Sequence, residues 1–102
     1  MYARLARYEV PDGRAEDAVR AFEKAARDLE GLNGLQGGYV LRDADTGGIV
    51  TMTLWENRAL MESSEVRAAR LRQEAVRQVE GSVASVQCLE VEVEIAATKA
   101  AV

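Results

Sequence analysis

A net charge of −4 over 102 residues leaves this chain without the cationic field that a phosphate backbone requires, so no nucleic-acid partner is expected. The absence of histidine excludes imidazole triads and imidazole-ligated zinc or haem, and the single cysteine excludes an intrachain disulfide, so no metal and no cofactor is expected. With 48% hydrophobic and 29% charged residues, the composition is that of a folded domain rather than a disordered segment.

The first strand is expected from about Tyr2 to Val10. It starts directly after Met1 without an apolar leader. No apolar run approaches the roughly 20 residues of a bilayer span, so a cytoplasmic protein with no membrane partner is expected. Pro11-Asp12-Gly13 ends the strand as a turn, with Gly13 as the expected helix N-cap and Glu16 and Asp17 at the positive end of the helix dipole. At 100° per residue, Ala15, Ala18, Val19, Phe22, Ala25, Ala26 and Leu29 share one arc of about 120°, uninterrupted by charge. Gly31 is the expected left-handed cap.

Leu35 to Asp43 reads as the second strand, and Gly37 and Gly38 within it imply a bulge or a close backbone approach. Asp45-Thr46-Gly47-Gly48 is a hairpin turn leading into a third strand from Ile49 to Trp55. Ile49, Thr51, Thr53 and Trp55 lie on one face of that strand and Val50, Met52 and Leu54 on the other. Both faces look half buried, as in a sheet covered on two sides. Asn57 can cap a short helix from Arg58 to Met61, and Ser63 or Ser64 a longer one to about Val79 with Gly81 at its end. On the longer helix Ala68, Ala69, Leu71, Ala75, Val76 and Val79 define an apolar arc, and Arg72 projects inside it. The arginines of this helix make no basic face, because glutamates accompany them.

The last strand is expected from Ser82 to about Ile95. Its apolar positions change phase near Cys88 and Leu89, and a strand can do this only at a bulge, a bend or a change of packing partner. Cys88, in this apolar strand, is expected to be a buried, inert thiol. Glu90, Glu92 and Glu94 read as a solvated row or as partners for Arg4 or Arg7. One domain over 1–95 with a fraying tail over 96–102 follows.

The element order is the split β-α-β arrangement, β-α-β-β-α-β: an α+β, ferredoxin-like fold with a four-stranded antiparallel sheet and two helices on one face. Such a fold leaves the other face bare. A homodimer, with two sheets packed face to face, would cover that face and give the long last strand a second sheet to join. The alternative is a local bulge in a monomer.

The opening strand into Pro11-Asp12-Gly13-Arg14, the stretch Leu32-Asn33-Gly34-Leu35-Gln36-Gly37-Gly38-Tyr39, and Thr53-Leu54-Trp55-Glu56-Asn57 before a broken helix resemble the antibiotic biosynthesis monooxygenase family. That family belongs to the dimeric α+β barrel superfamily. The resemblance implies a cavity between helices and sheet, lined by Trp55, and either cofactor-independent oxidation of polycyclic phenols or quinols or the degradation of haem. Where aromatic-oxidising members carry an asparagine this chain has Thr51. Where haem degraders carry a histidine it reads Ser64-Glu65-Val66, which turns the expectation away from haem.

Trp55 is either a core aromatic or a stacking wall for a flat ligand at the pocket mouth. Arg72 either snorkels from the core edge or anchors an anion such as a phenolate, in which case it frames one pocket with Trp55. Thr51 and Thr53 are candidate ligand hydrogen-bonders as well as good strand formers. Phe22 and Tyr39 are candidate lining residues whose plainer role is packing. Two functions follow: a cofactor-independent monooxygenase for a small aromatic or quinol-type substrate, or a non-catalytic dimeric barrel that binds a small apolar ligand.

Overall fold

The computed structural model describes residues 1–97. In chain order the elements are β1 (Tyr2–Glu9), α1 (Ala15–Leu29), β2 (Leu35–Arg42), β3 (Ile49–Trp55), α2 (Arg58–Ser63), α3 (Glu65–Gln78) and β4 (Ser82–Glu90). The strands form one antiparallel sheet in the order β2-β3-β1-β4, which is the ferredoxin-like arrangement. The helices cover one face. No helix among the described residues is long and apolar enough to cross a membrane.

The register decides which side chains meet the helices, because directly paired residues share a face. Arg4, Ala6 and Tyr8 of β1 pair with Thr53, Thr51 and Ile49 of β3. On β2, Gly38 and Val40 pair with the same two threonines. Phe22, near the middle of the apolar arc of α1, packs on Tyr8 with ring centroids 4.3 Å apart and planes tilted by 45°. Around this pair Ala6, Ala18, Ala21, Ile49, Ala75, Val76 and Val79 complete the main core.

Two caps differ from expectation. Arg14 rather than Gly13 precedes α1, and it makes no side-chain cap; Gly13 takes positive φ (81°) inside the preceding turn. At the end of α3 the residue in the left-handed conformation is Glu80 (φ 56°), not Gly81. The Glu80 N–H donates to Arg77 O and the Gly81 N–H to Val76 O, the paired bonds of a Schellman motif. Gly81 is required for room instead, since a Cβ there would stand 2.6 Å from the Glu9 carbonyl oxygen. Asn57 caps α2 as its position implies, accepting from the Leu60 N–H at 2.9 Å.

The strands deviate from regularity at two places. Pairing of β2 with β3 shifts between Leu35 and Gly37, so the bulge implied by the glycine pair is present. Pairing of β1 with β4 shifts between Arg7 and Tyr8, opposite Ala84, and runs unbroken through Cys88 and Leu89. The change of phase at Cys88 is therefore not a bulge there. Val86 and Cys88 stay on the helix side, while Leu89 takes the opposite face with Ala3. The strand also stops at Glu90; beyond it the Val91 N–H donates to Met1 O, and residues 92–97 are exposed and form no strand. Cys88 is exposed rather than buried: it lies on an edge strand whose residues from Val86 to Glu90 are all exposed. Of the tail, 98–102 lie outside the described residues.

Candidate functional site

A cavity of about 260 Å³ lies between the sheet and the helix pair α1 and α3. It exists because small residues face each other across the layer. Gly38 and Ala6 lie on the sheet side, and Ala25, Ala26 and Ala68 on the helix side, where larger side chains would close the gap. Phe22, Leu29 and Val40 supply most of the remaining apolar wall. The exposed lining residues, Ala26, Glu30, Gly37, Gly38 and Tyr39, place the mouth between α1 and the β2 edge. Gly38 also permits close strand packing: a Cβ there would come within 2.5 Å of the Met52 carbonyl oxygen.

Few polar groups reach this cavity. The Tyr8 hydroxyl and Thr51 Oγ1 are hydrogen-bonded at 3.0 Å. Burial raises the Tyr8 pKa above the ordinary phenol value; the hydrogen bond to Thr51 and the charges of Arg72 and Arg4 oppose this without cancelling it. Thr53 stands one row further along the sheet, with its Oγ1 accepting from the Trp55 indole N–H at 2.9 Å.

Two arginines form the charged inner wall. The Arg4 side chain is 4% exposed and Arg72 is 13% exposed. They share a single carboxylate: Glu65 pairs with Arg4 Nη2 at 3.0 Å through one oxygen and with Arg72 Nη2 through the other. Arg4 also donates to Met61 O at 2.6 Å and to Ser64 Oγ at 3.2 Å. Ser64, at the N-cap of α3, uses its hydroxyl for Met61 O and Arg4 rather than for the helix. Two cations on one half-exposed carboxylate leave a local surplus of positive charge at the inner wall, while Glu30 puts a carboxylate at the mouth.

The structure brings Phe22, Thr51, Tyr39 and Arg72 to the cavity wall. Trp55 does not frame it with Arg72. The indole is fully buried, with Arg4 stacked above it, so Arg4 occupies the place expected of the tryptophan. Tyr39 borders the cavity, yet its pairing with Met52 puts its side chain on the bare face of the sheet, 61% exposed. Arg4 was expected at most to meet the Glu90 row; it turns to Glu65 instead. Arg4, Tyr8 and Glu65 were missed as site residues. The signal for Arg4 was available, since it alternates in phase with Ala6 and Tyr8 just as Arg72 interrupts an apolar arc.

Haem does not suit this donor set. The chain has no histidine, and the buried phenol of the wall, Tyr8, is held by Thr51 and keeps its proton. Among the described residues no cluster of three His, Cys, Asp or Glu side chains is arranged to hold a metal ion.

The fold is shared with several solved structures. A Deinococcus radiodurans protein classed with the antibiotic biosynthesis monooxygenases superposes with a TM-score of 0.78 at 13% identity, over 96% of this chain and 99% of that one. MhuD, a haem degrader of Mycobacterium tuberculosis with two haems bound in its active site, gives 0.77 at 20% identity over 94% and 100%. SnoaB, a cofactor-independent oxygenase of Streptomyces nogalater, gives 0.74 at 13% identity over 92% and 95%. At these identities the likeness establishes the fold alone. No curated protein sequence matches the chain. The family model for antibiotic biosynthesis monooxygenases matches residues 1–72, which run from β1 into α3 and include every polar group of the cavity wall described above, so the chain belongs to the antibiotic biosynthesis monooxygenase family.

Proposed function

We propose that this chain binds a flat, ionisable aromatic in the cavity under α1 and promotes its oxidation by dioxygen without a bound cofactor. The observation that carries this reading is the pair of arginines sharing one carboxylate at the wall of an otherwise apolar cavity. A positive surplus in a low-dielectric site favours the ionised form of a phenol, quinol or anthrone. Such an ion can give electrons to dioxygen directly, and in the net reaction a ring CH₂ and O₂ become a ring C=O and water. Tyr8, with its raised pKa, holds its proton near neutrality and serves as a donor to the ligand rather than as a base. The cavity lies just below the usual range of roughly 300–1,000 Å³ for ligand pockets, so a ring system of about two fused rings is the better fit.

The test is oxygen uptake with a panel of small quinols and anthrones. Saturable, protein-dependent uptake that falls at least about tenfold in Arg72→Met, a change of about 1.4 kcal/mol in transition-state binding, supports the reading. Saturable ligand binding with no uptake for any member of the panel supports the second reading, a non-catalytic binder. One observation favours that alternative: Thr51 stands where aromatic-oxidising relatives carry an asparagine, and its hydroxyl is already engaged by Tyr8.

We also read the bare face of the sheet as the seat of a second copy. Leu5, Met52 and Leu54 are only partly buried there, and Leu41, Tyr39 and Leu89 are exposed, an apolar set on one sheet face that a second copy would cover. Light scattering coupled to size exclusion is expected to give twice the 11.1 kDa chain mass at micromolar concentration. A monomer at that concentration overturns the dimer.

A further inference from the structure

The Trp55 indole N–H points at Thr53, with Nε1 2.9 Å from Oγ1. An indole nitrogen can only donate, so the Thr53 oxygen accepts in this bond. The direction of that bond fixes what the hydroxyl has left to offer. Its own O–H must turn to another acceptor, and none among the described residues receives it. Thr53 nevertheless borders the cavity. The neighbouring hydroxyls are in a different state: Tyr8 and Thr51 share one hydrogen bond in which either can donate, so one proton of the pair is left over and the bond does not fix which.

The surroundings of Thr53 match a donor awaiting a ligand. In the sheet register it stands between Gly38 on β2 and Arg4 on β1. On the Gly38 side there is no side chain; a Cβ there would already lie 3.3 Å from the Thr53 methyl, so glycine keeps that flank open. On the other side stands Arg4, whose guanidinium lies over the Trp55 ring and borders the same cavity. A ligand atom arriving here meets an O–H and a cation, and the complementary group is an oxygen with lone pairs and little or no proton to give.

We propose that Thr53 is the specificity-determining donor of the cavity, because Trp55 takes one lone pair of its oxygen and leaves its proton for a ligand. It selects planar ligands that present a carbonyl or phenolate oxygen, and Trp55 acts behind it as a positioning residue. This rests on the reading of the cavity as an aromatic-binding site, and it names the feature by which one aromatic is chosen over another.

The test compares 1-tetralone with tetralin, which has the same bicyclic frame without the oxygen, by calorimetric titration of the full chain. Thr53→Val keeps the shape and removes the hydroxyl; Thr53→Ser keeps the hydroxyl. A neutral hydrogen bond amounts to a factor of about 3–10 in affinity, so Thr53→Val is expected to weaken 1-tetralone by that factor and to leave tetralin unchanged. Thr53→Ser is expected to restore the preference for the ketone to within about twofold of the original, since the hydroxyl carries it. If both probes bind and Thr53→Val changes them equally, the donor role fails while the cavity remains a ligand site. If the unmodified chain binds neither probe, both the cavity reading and this inference are overturned.

Discussion

The guanidinium carbon of Arg4 lies 5.4 Å from the centre of the Trp55 ring, and neither side chain is open to bulk solvent. A charge so deeply placed depends on Glu65, on Met61 O and on the π face beneath it. Among the described residues the Arg4 Nε has no hydrogen-bond partner. Removing the charge and removing its partner should therefore have opposite effects. Arg4→Met, which keeps the aliphatic stem over the indole, is expected to leave stability unchanged or raise it by about 1 kcal/mol. Glu65→Gln leaves two guanidiniums without their carboxylate and is expected to cost about 1–3 kcal/mol, less than for a fully buried pair because Glu65 is half exposed. Urea denaturation of both variants measures the difference.

Tyr8 sets a limit on alkaline stability. Its folded-state pKa is raised above the unfolded value, so the contribution of the protonated phenol is fully present below about pH 10 and is lost as pH rises through the folded pKa. Absorbance titration of the three tyrosines is expected to show a late component that disappears in Tyr8→Phe. Stability followed over the same interval should fall for the parent chain and fall less for the variant. Coincident titration of all three phenols would show Tyr8 to be open to water.

Gly38→Ala tests how the cavity mouth is built. The added Cβ meets the Met52 carbonyl oxygen, a backbone atom that cannot rotate away. The β2 and β3 strands must separate locally, and a cost of about 1–3 kcal/mol is expected. The same change encroaches on Thr53, so affinity for any aromatic probe should fall with it. Gly37→Ala adds no contact but holds φ at 154°, so backbone strain alone is tested there.

Glu80 offers a stabilising change. It holds positive φ at the end of α3, a conformation that penalises a β-carbon. Its ion pair with Arg14 is long, at 3.5 Å, and exposed. Glu80→Gly is expected to raise stability by about 0.5–1 kcal/mol, seen as a higher thermal midpoint.

The sequence carried the fold well, because the elements here are strongly patterned. The α1 arc with Phe22 in it, the alternation of β3, and the paired glycines of β2 each report a local physical requirement that the tertiary structure keeps. What the alternation could not carry was the extent of coverage. The apolar pattern around Cys88 looks buried in a single strand, but β4 is an edge strand and its second half is exposed. The site was legible only in part for a related reason. Arg72 stood out because it broke an apolar arc, whereas Arg4 sat in a strand where one charge among tyrosines and alanines looked unremarkable. Trp55 drew attention as the sole tryptophan, yet it is covered by Arg4, which Met61 O and Ser64 hold in place, and no spacing rule brings those residues together.

The strand order β2-β3-β1-β4 sets β2 and β4 at opposite edges of the sheet. The cavity mouth lies at the β2 edge, beside the turn from α1, whereas the exposed Val86 and Leu89 lie on β4 at the opposite edge. Two strands stand between them. A lengthened α1–β2 turn or a larger residue at Ala26 would alter what the cavity admits without touching β4, and changes along β4 would leave the passage of small molecules alone. Along β4 the chain can thus vary without altering what the cavity admits, whereas a change at Tyr39 touches both the cavity border and the bare face of the sheet.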